Sequence, residues 1–275
     1  MLVIGLTGSI ATGKSTVSKL LSEPPFGIPI VDADLLARKV VEPGTPGYQA
    51  IVDYFASSTP DLLVPAGDGM PEDGPDGRGR PLNRPALGRR VFGNDEQRRK
   101  DRAVLNGIVH PAVRREMLRG VLAAYRRGEK AVVLDVPLLF ESGLDRFCNA
   151  VVVVAVRDPE VQLQRLMKRD AHLSREDAEN RVRSQGDLAD KVRRCERRGG
   201  VVVWNDAGLD ELRLEVTRAV ETLQKRNPSW WNWLLWRCPP LAALVILWAI
   251  GRNKLEAWSW ERQKRREQAQ AKAKL

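Results

Sequence analysis

Gly8-Ser9-Ile10-Ala11-Thr12-Gly13-Lys14-Ser15 has the spacing G-x-x-x-x-G-K-S, and each fixed residue type has a task in holding a polyphosphate. The glycines let backbone N–H groups turn toward phosphate oxygens. Lys14 supplies a point charge for the β- and γ-phosphates, and the Ser15 hydroxyl is a ligand for Mg²⁺. A helix starting at this loop adds the partial positive charge of its N-terminus. The pattern acts this way only between a strand and a helix. Leu2-Val3-Ile4-Gly5-Leu6 suits a buried strand, and Thr16-Val17-Ser18-Lys19-Leu20-Leu21 suits the first turns of a helix.

Acids close two further apolar runs. In Val31-Asp32-Ala33-Asp34, residues 32 and 34 share one side of an extended chain. A carboxylate at the carboxyl end of a sheet strand lies where open α/β folds bind ligands, and one there can take a proton from an attacking hydroxyl. Leu35-Leu36-Ala37-Arg38 reads as a helix start, so one of the two acids is also an N-cap candidate. Val132-Val133-Leu134-Asp135 ends in an acid suited to Mg²⁺ or its water shell. Pro137-Leu138-Leu139-Phe140-Glu141 follows, where it would close over the acceptor. Arg157, Arg165, Lys168, Arg169, Arg175, Arg181 and Arg183 cluster further on. Most are expected on solvated helix faces. Arg165 and Arg169, four apart, share one face, and Arg165 is the first candidate to hold the charge of a transferring phosphoryl group.

The elements that must position these groups follow from the apolar pattern. Leu2–Leu6, Ile28–Val31, Ala131–Asp135, Ala150–Val156 and Val201–Trp204 are continuous apolar runs separated by helical patterns. They predict an α/β fold with a parallel sheet covered on both faces. Residues 35–55 and 85–127 predict a helical excursion from that sheet. Residues 56–82, rich in Pro, Gly and Asp, predict a mobile loop. Asp158-Pro159-Glu160 predicts a capped helix start with Pro at the first helical position, and Ser174-Arg175-Glu176-Asp177 predicts another with an acid three residues after the cap.

Composition narrows the function classes. Cys148, Cys195 and Cys238 form no C-x-x-C pair, and His110 and His172 are the only histidines. Zinc modules, disulfide frameworks and histidine metal sites are disfavoured, and a reducing compartment is expected. With the first strand starting at Leu2, no leader is expected. The net charge is +10, and Arg252–Leu275 supplies half of it. Such charge suits nucleic acid, anionic lipid or a small polyphosphate. No aromatic residue interleaves the arginines between 157 and 198, so nucleic acid is not an expected partner. Trp230–Gly251 holds five of the eight tryptophans and the run Leu241–Ile250, broken by Asn232, Arg237 and Pro239-Pro240. It falls short of the roughly 20 apolar residues of a clean span. A shallow hairpin or a marginal span is expected, with the basic tail on an anionic cytoplasmic surface. The alternative is a helix packed on the domain's own core.

Taken together the motifs resemble those of the dephospho-coenzyme A kinase family. The resemblance rests on Gly5-Leu6-Thr7-Gly8 running into the loop, Asp32-Ala33-Asp34 with Ala37-Arg38, and Val41-Glu42-Pro43-Gly44. It continues through Leu105-Asn106, His110-Pro111, Asp135 to Glu141, and Gln162-Leu163 with Arg165-Leu166-Met167 and Arg169-Asp170. It ends at Ser184-Gln185 and Asn205 with Gly208, in family order over residues 1–223. It implies a P-loop kinase fold: a parallel-sheet core, a helical subdomain for the coenzyme A precursor and an arginine-bearing lid. The implied reaction moves the γ-phosphoryl of ATP, with Mg²⁺, to the ribose 3′-hydroxyl of dephospho-CoA. In that reading Asp34, Lys14 and Arg165 are catalytic, and Gly8, Ser9, Ile10, Ala11, Thr12, Gly13, Lys14, Ser15, Thr16 and Asn205 hold ATP. Thr7, Asp32, Asp34, Arg38, Leu138 and Glu141 hold the acceptor, and Ser15 and Asp135 hold the metal. His110 matches a family position without an assigned proton transfer.

Three departures stand out. Thr12 is bulkier than the small residues usual there, and its side chain is expected to point out, with its N–H available. Residues 56–82 exceed the usual connection by about a dozen residues, a tolerable surface insertion. Residues 224–275 have no counterpart in the compact bacterial enzymes and fit a eukaryotic version attached through 230–275 to the cytoplasmic face of an intracellular membrane: endoplasmic reticulum, mitochondrial outer membrane or lipid droplet. The rival readings are a P-loop kinase for another small acceptor, such as a nucleotide or nucleoside, and a non-catalytic membrane-associated P-loop protein.

Overall fold

The computed structural model describes residues 1–67, 69–184, 188–226, 248, 251–260, 262, 263, 265 and 266. In chain order the elements are β1 (Leu2–Gly8), α1 (Lys14–Ser22), β2 (Ile30–Asp32), α2 (Ala33–Lys39), α3 (Pro46–Phe55), α4 (Arg84–Val91), α5 (Glu96–Arg126), β3 (Ala131–Asp135), β4 (Ala150–Ala155), α6 (Pro159–Arg169), α7 (Arg175–Ser184), α8 (Leu188–Arg197), β5 (Val201–Trp204) and α9 (Leu209–Arg226). Residues 251–260 are also helical. The strands form one sheet in the order β2-β3-β1-β4-β5. The chain divides into two units, one of Met1–Val31 with Ala123–Leu275, the other of Asp32–Leu122.

In the first unit β1 runs parallel to both β3 and β4, and β4 parallel to β5. The register sets Leu6 beside Asp135 and Gly8 beside Val154. The carboxyl ends of three strands therefore meet where the phosphate loop begins, the position open parallel sheets use for ligands. Leu2, Ile4, Leu6, Val152 and Val154 pack against Val17 and Leu21 of α1 and Leu212, Val216, Val220 and Leu223 of α9. Leu6 is fully buried; truncating such a residue to alanine costs about 2–5 kcal/mol. A smaller cluster joins Leu163 and Leu166 of α6 to Ala178 of α7, with Ile10 and Ala11 of the loop against it. The caps fall where the sequence places them. Asp158 accepts from the Glu160 N–H, and Ser174 Oγ accepts from the Asp177 N–H while donating to its carboxylate.

The second unit is helical, as the periodicity of 35–55 and 85–127 predicts. Its core joins Ile51 and Phe55 of α3, Leu62, and Leu87 and Val91 of α4. Asp101 of α5 is wholly buried. It pairs with Arg90 at 2.8 Å and accepts from Gln97 at 3.0 Å and Tyr54 at 3.3 Å. Residues 56–82 are tied into this unit, contrary to the mobile loop that their composition predicts. Leu62 is 1 % exposed, the Asn83 N–H donates to its carbonyl, and the Val64 N–H donates to Pro81. Tyr48 donates its hydroxyl to the Arg80 carbonyl at 2.7 Å, and burial raises the Tyr48 pKa above its ordinary value. The composition is that of a loop, but Leu62, Leu63 and Leu82 are spent on the core.

Helix α9 continues to Arg226. The tryptophan-rich stretch expected on a membrane lies outside the described residues except for Trp248 and Gly251. Among the described residues no helix is long and apolar enough to cross a membrane. The helical residues 251–260 seat Asn253 and Ala257 in buried positions of the first unit.

Candidate active site

The phosphate loop is closed by groups far away in sequence. Ala11 has φ 60 and Gly13 has φ 93, both left-handed. Gly13 is the N-cap of α1 with no side-chain cap bond, which leaves the first N–H groups of that helix for a ligand. A Cβ on Gly13 would sit 2.2 Å from Asn205 Nδ2, so glycine is required by contact as well as by φ. Asn205 donates Nδ2 to the Thr12 carbonyl at 2.9 Å, and Gln162 donates Nε2 to the Ile10 carbonyl at 2.6 Å. Arg165 donates to the Asn205 carbonyl at 2.7 Å. The end of β5 and one face of α6 thus fix the loop's backbone before any nucleotide enters.

Thr12 does not point outward as expected. It is fully buried, its hydroxyl donates to the Ser9 carbonyl at 2.8 Å, and its N–H is spent on the same carbonyl. A buried hydroxyl needs a partner, and turning inward lets Thr12 close the loop on itself. Ser9 Oγ is buried with no hydrogen-bond partner. An orphaned hydroxyl costs about 1–3 kcal/mol, and an anion in the loop would relieve that cost.

Lys14 and Asp135 meet at 2.5 Å. Asp135 is 3 % exposed, brought there by the β1–β3 register. Ser15 and Thr16 are exposed at the start of α1. Ser15 and Asp135 each offer a hard oxygen, and Mg²⁺ needs only one or two protein ligands beside phosphates and water. The donors fit that ion, and among the described residues no group of three or more His, Cys, Asp or Glu forms a denser metal cage. Thr7 is fully buried and donates its hydroxyl to the Pro137 carbonyl at 2.8 Å. It holds the start of the segment through Glu141. Leu138 is 47 % exposed, and Glu141 pairs with Lys191 of α8 at 3.1 Å.

The two acids of the second unit have different tasks. Asp32 caps α2, its carboxylate accepting from the Asp34 and Leu35 N–H groups at 2.8 and 3.0 Å. Asp34 is exposed in the first turn, and Arg38 is exposed four residues on, on the same helix face. His110 is exposed on α5. Gln185 lies outside the described residues. The sequence did not reveal the bracing role of Gln162, although its place beside Leu163 and Leu166 on one face of α6 was a signal. It also gave no sign of Asp145, fully buried between Arg194 at 3.1 Å and Arg198 at 2.5 Å. Both partners of that cluster come from the α8 end, about fifty residues on.

A glycine-lysine loop between β1 and α1, an acid-ended β3 beside it and a set of arginine-bearing helices define a P-loop kinase. The dephospho-CoA kinase family matches residues 2–211. The dephospho-CoA kinase CAB5 of Saccharomyces cerevisiae is 42 % identical over 244 residues, 89 % of this chain and 90 % of that one. A Bacillus cereus dephospho-CoA kinase is 45 % identical over 214 residues, covering 78 % of this chain and 93 % of its own. The crystal structure of the Thermus thermophilus protein TT1252 superposes with TM-score 0.61 at 29 % identity, over 82 % of this chain and 98 % of that one. The Campylobacter jejuni dephospho-CoA kinase shares the fold with TM-score 0.56 at 24 % identity, over 82 % and 98 %. The chain belongs to the dephospho-CoA kinase family, ATP-dependent kinases of coenzyme A biosynthesis.

Proposed function

We propose that this chain phosphorylates the ribose 3′-hydroxyl of dephospho-CoA with Asp34 as the base, using ATP and Mg²⁺. The triphosphate lies along the loop of residues 8–16, where Lys14 meets the β- and γ-phosphates. Asp135 keeps the Lys14 ammonium aligned. Asp34 accepts the proton of the 3′-hydroxyl as its oxygen attacks the γ-phosphorus. The bond from that phosphorus to the ADP oxygen breaks, and ADP leaves as the anion. Arg165 faces the charge that spreads over the transferring group, the point at which fixed cations accelerate such a reaction. Ser15 and Asp135 would hold Mg²⁺, which would supply neutralisation of phosphate charge. Thr7 and Leu138 shape the acceptor side through the 137–141 segment, with Arg38 on α2 as a further contact.

The observation that carries the base assignment is the division of labour on α2. The Asp32 carboxylate is committed to two backbone N–H groups, which leaves Asp34 as the exposed carboxylate of the first turn. Asp34→Asn is expected to lower kcat about a hundredfold or more, the scale of a general base, with the ATP dissociation constant unchanged. Asp32→Asn keeps a capping oxygen, since Asn and Asp cap about equally well, and is expected to fall far less. Near-normal turnover in Asp34→Asn rejects the assignment.

A second reading concerns the C-terminal part. Residues 230–275 attach the enzyme to the cytoplasmic face of an intracellular membrane, such as endoplasmic reticulum, mitochondrial outer membrane or lipid droplet. The tryptophan content of 230–251 and the basic charge of 252–275 support it.

A further inference from the structure

The C-terminal helical residues have two faces of opposite character. One is spent on the first unit. Asn253 is 3 % exposed and donates Nδ2 to the carbonyls of Arg146 and Cys148 at 3.0 and 3.2 Å. Ala257, one turn on, is 4 % exposed. Glu256 lies 3.7 Å from Arg198. Ser259 and Gln263 accept from Arg197 of α8 at 3.0 and 2.8 Å. Arg197 also lies over the Trp260 ring at 5.8 Å, and residues 253, 256, 257, 260 and 263 recur at three- and four-residue steps, the spacing of one helix face. These contacts fix how the helix is turned about its own axis.

The other face is apolar and cationic. Trp248, Leu255 and Trp258 are 65, 67 and 54 % exposed. Arg252 lies over the Trp248 ring at 5.1 Å, and Arg262 over the Trp258 ring at 3.8 Å. Lys254, Arg265 and Arg266 are exposed beside them. Among the described residues the acid bordering this face is Glu256, which lies between Arg198 at 3.7 Å and Arg252 at 3.8 Å, so cations outnumber acids here. Clustered exposed aromatics mark an interaction site, and tryptophan with arginine on one helix face suits the headgroup layer of a bilayer.

We propose that this outward face is a lipid-contact surface. Trp248, Leu255 and Trp258 enter the headgroup layer of an anionic bilayer, Arg252, Arg262, Arg265 and Arg266 meet the lipid phosphates, and the Asn253 latch sets how the kinase unit stands on the membrane. The proposal rests on the membrane reading above and assigns it to named residues. Charge selects the occupant: an anionic lipid surface complements a face whose described charged residues are mostly cations, whereas a second copy would set like charges against each other.

The test is flotation of the full chain with vesicles of phosphatidylcholine alone and of phosphatidylcholine with phosphatidylserine. Wild type is expected to float with the anionic vesicles and to release in part as salt rises. The double variant Leu255→Glu with Trp258→Glu is expected to lose about tenfold or more of that partition, with unchanged kinase activity in solution confirming its fold. Asn253→Ala is expected to keep the partition but to speed amide exchange at residues 251–260; unchanged exchange there overturns the latch. If wild type floats and the double variant floats equally well, the membrane reading stands and the assignment to this face falls. If wild type floats with neither vesicle, both fall. If the double variant changes only the mass seen by light scattering, the face is a contact between copies and the lipid assignment is overturned.

Discussion

The phosphate loop and the α6–α7 arm both carry groups assigned to phosphate, and their polar groups are held in different ways. The loop is fixed by short, buried bonds from Gln162, Asn205 and Thr12 to its own carbonyls. In the arm α6 meets α7 through a small buried cluster, Leu163, Leu166 and Ala178, and its charged groups pair in solvent: Glu160 with Arg175 at 2.8 Å, Glu179 with Arg183 at 3.0 Å and Asp170 with Arg181 at 3.2 Å. Removing one partner of a buried bond costs about 1–3 kcal/mol, while an exposed pair is worth about 0–1 kcal/mol. The difference teaches where preorganisation is needed. Donors aimed at phosphate act best when they need no rearrangement, so the cradle is locked in advance. Weak surface pairs would let such helices shift at little cost.

The comparison breaks first, and most severely, at Lys14. Lys14→Ala is expected to lower turnover about 100–1,000-fold, the scale of losing one charge-stabilising donor. It should also weaken ATP binding, unlike Asp34→Asn, and nucleotide titration beside steady-state kinetics separates the two. Next is the loop's scaffold. Asn205→Ala leaves the Thr12 carbonyl without its partner and opens space beside Gly13. Thermal unfolding is expected to show a loss of about 1–3 kcal/mol, and KM for ATP is expected to rise about tenfold, equivalent to about 1.4 kcal/mol. An unchanged KM would show that the loop's shape does not depend on this brace.

The arm supplies the smaller effects. The hydrogen bond from Arg175 holds the Glu160 carboxyl below its ordinary 4.5, and Arg169 holds Asp170 below its ordinary 3.8. Carboxylates lowered in the folded state stabilise it above their ordinary values, and that contribution is lost as pH falls through the lowered values. Acidification below 4.5 should therefore speed amide exchange in α7 before it does so in the loop. Equal acceleration in both regions would erase the distinction drawn here. The smallest effect belongs to two buried thiols, one just before β4 and one on α8. Burial pushes Cys148 and Cys195 up to about 12, so alkylation near neutral pH is expected to leave residues 148 and 195 unmodified by peptide mass analysis.

What was legible in the sequence was local. The loop needed only its own spacing and flanks. β3 and β5 lie where their apolar runs place them, and β1 extends two residues past its run to Gly8. The caps at Asp158 and Ser174 were readable because a cap is decided within four residues. Which of Asp32 and Asp34 caps α2 was open in sequence and is settled by which carboxylate reaches the N–H groups of that helix. The rest depended on distant partners. Thr12 turns inward within a loop braced from Asn205, and Asn253 finds carbonyls more than a hundred residues away. Leu62 joins the second core although its surroundings read as loop. Periodicity and composition carry no record of such pairings.

The most direct measurement offers the purified chain ATP with dephospho-CoA, AMP, CMP and uridine in one competition, with products resolved by mass spectrometry. The account predicts that dephospho-CoA is consumed ahead of every nucleotide and nucleoside. Its product should gain one phosphate, which fragmentation places on the ribose 3′-oxygen, and one ADP should form per product. Faster phosphorylation of a monophosphate or of uridine, or ATP consumption without a phosphorylated acceptor, would contradict it.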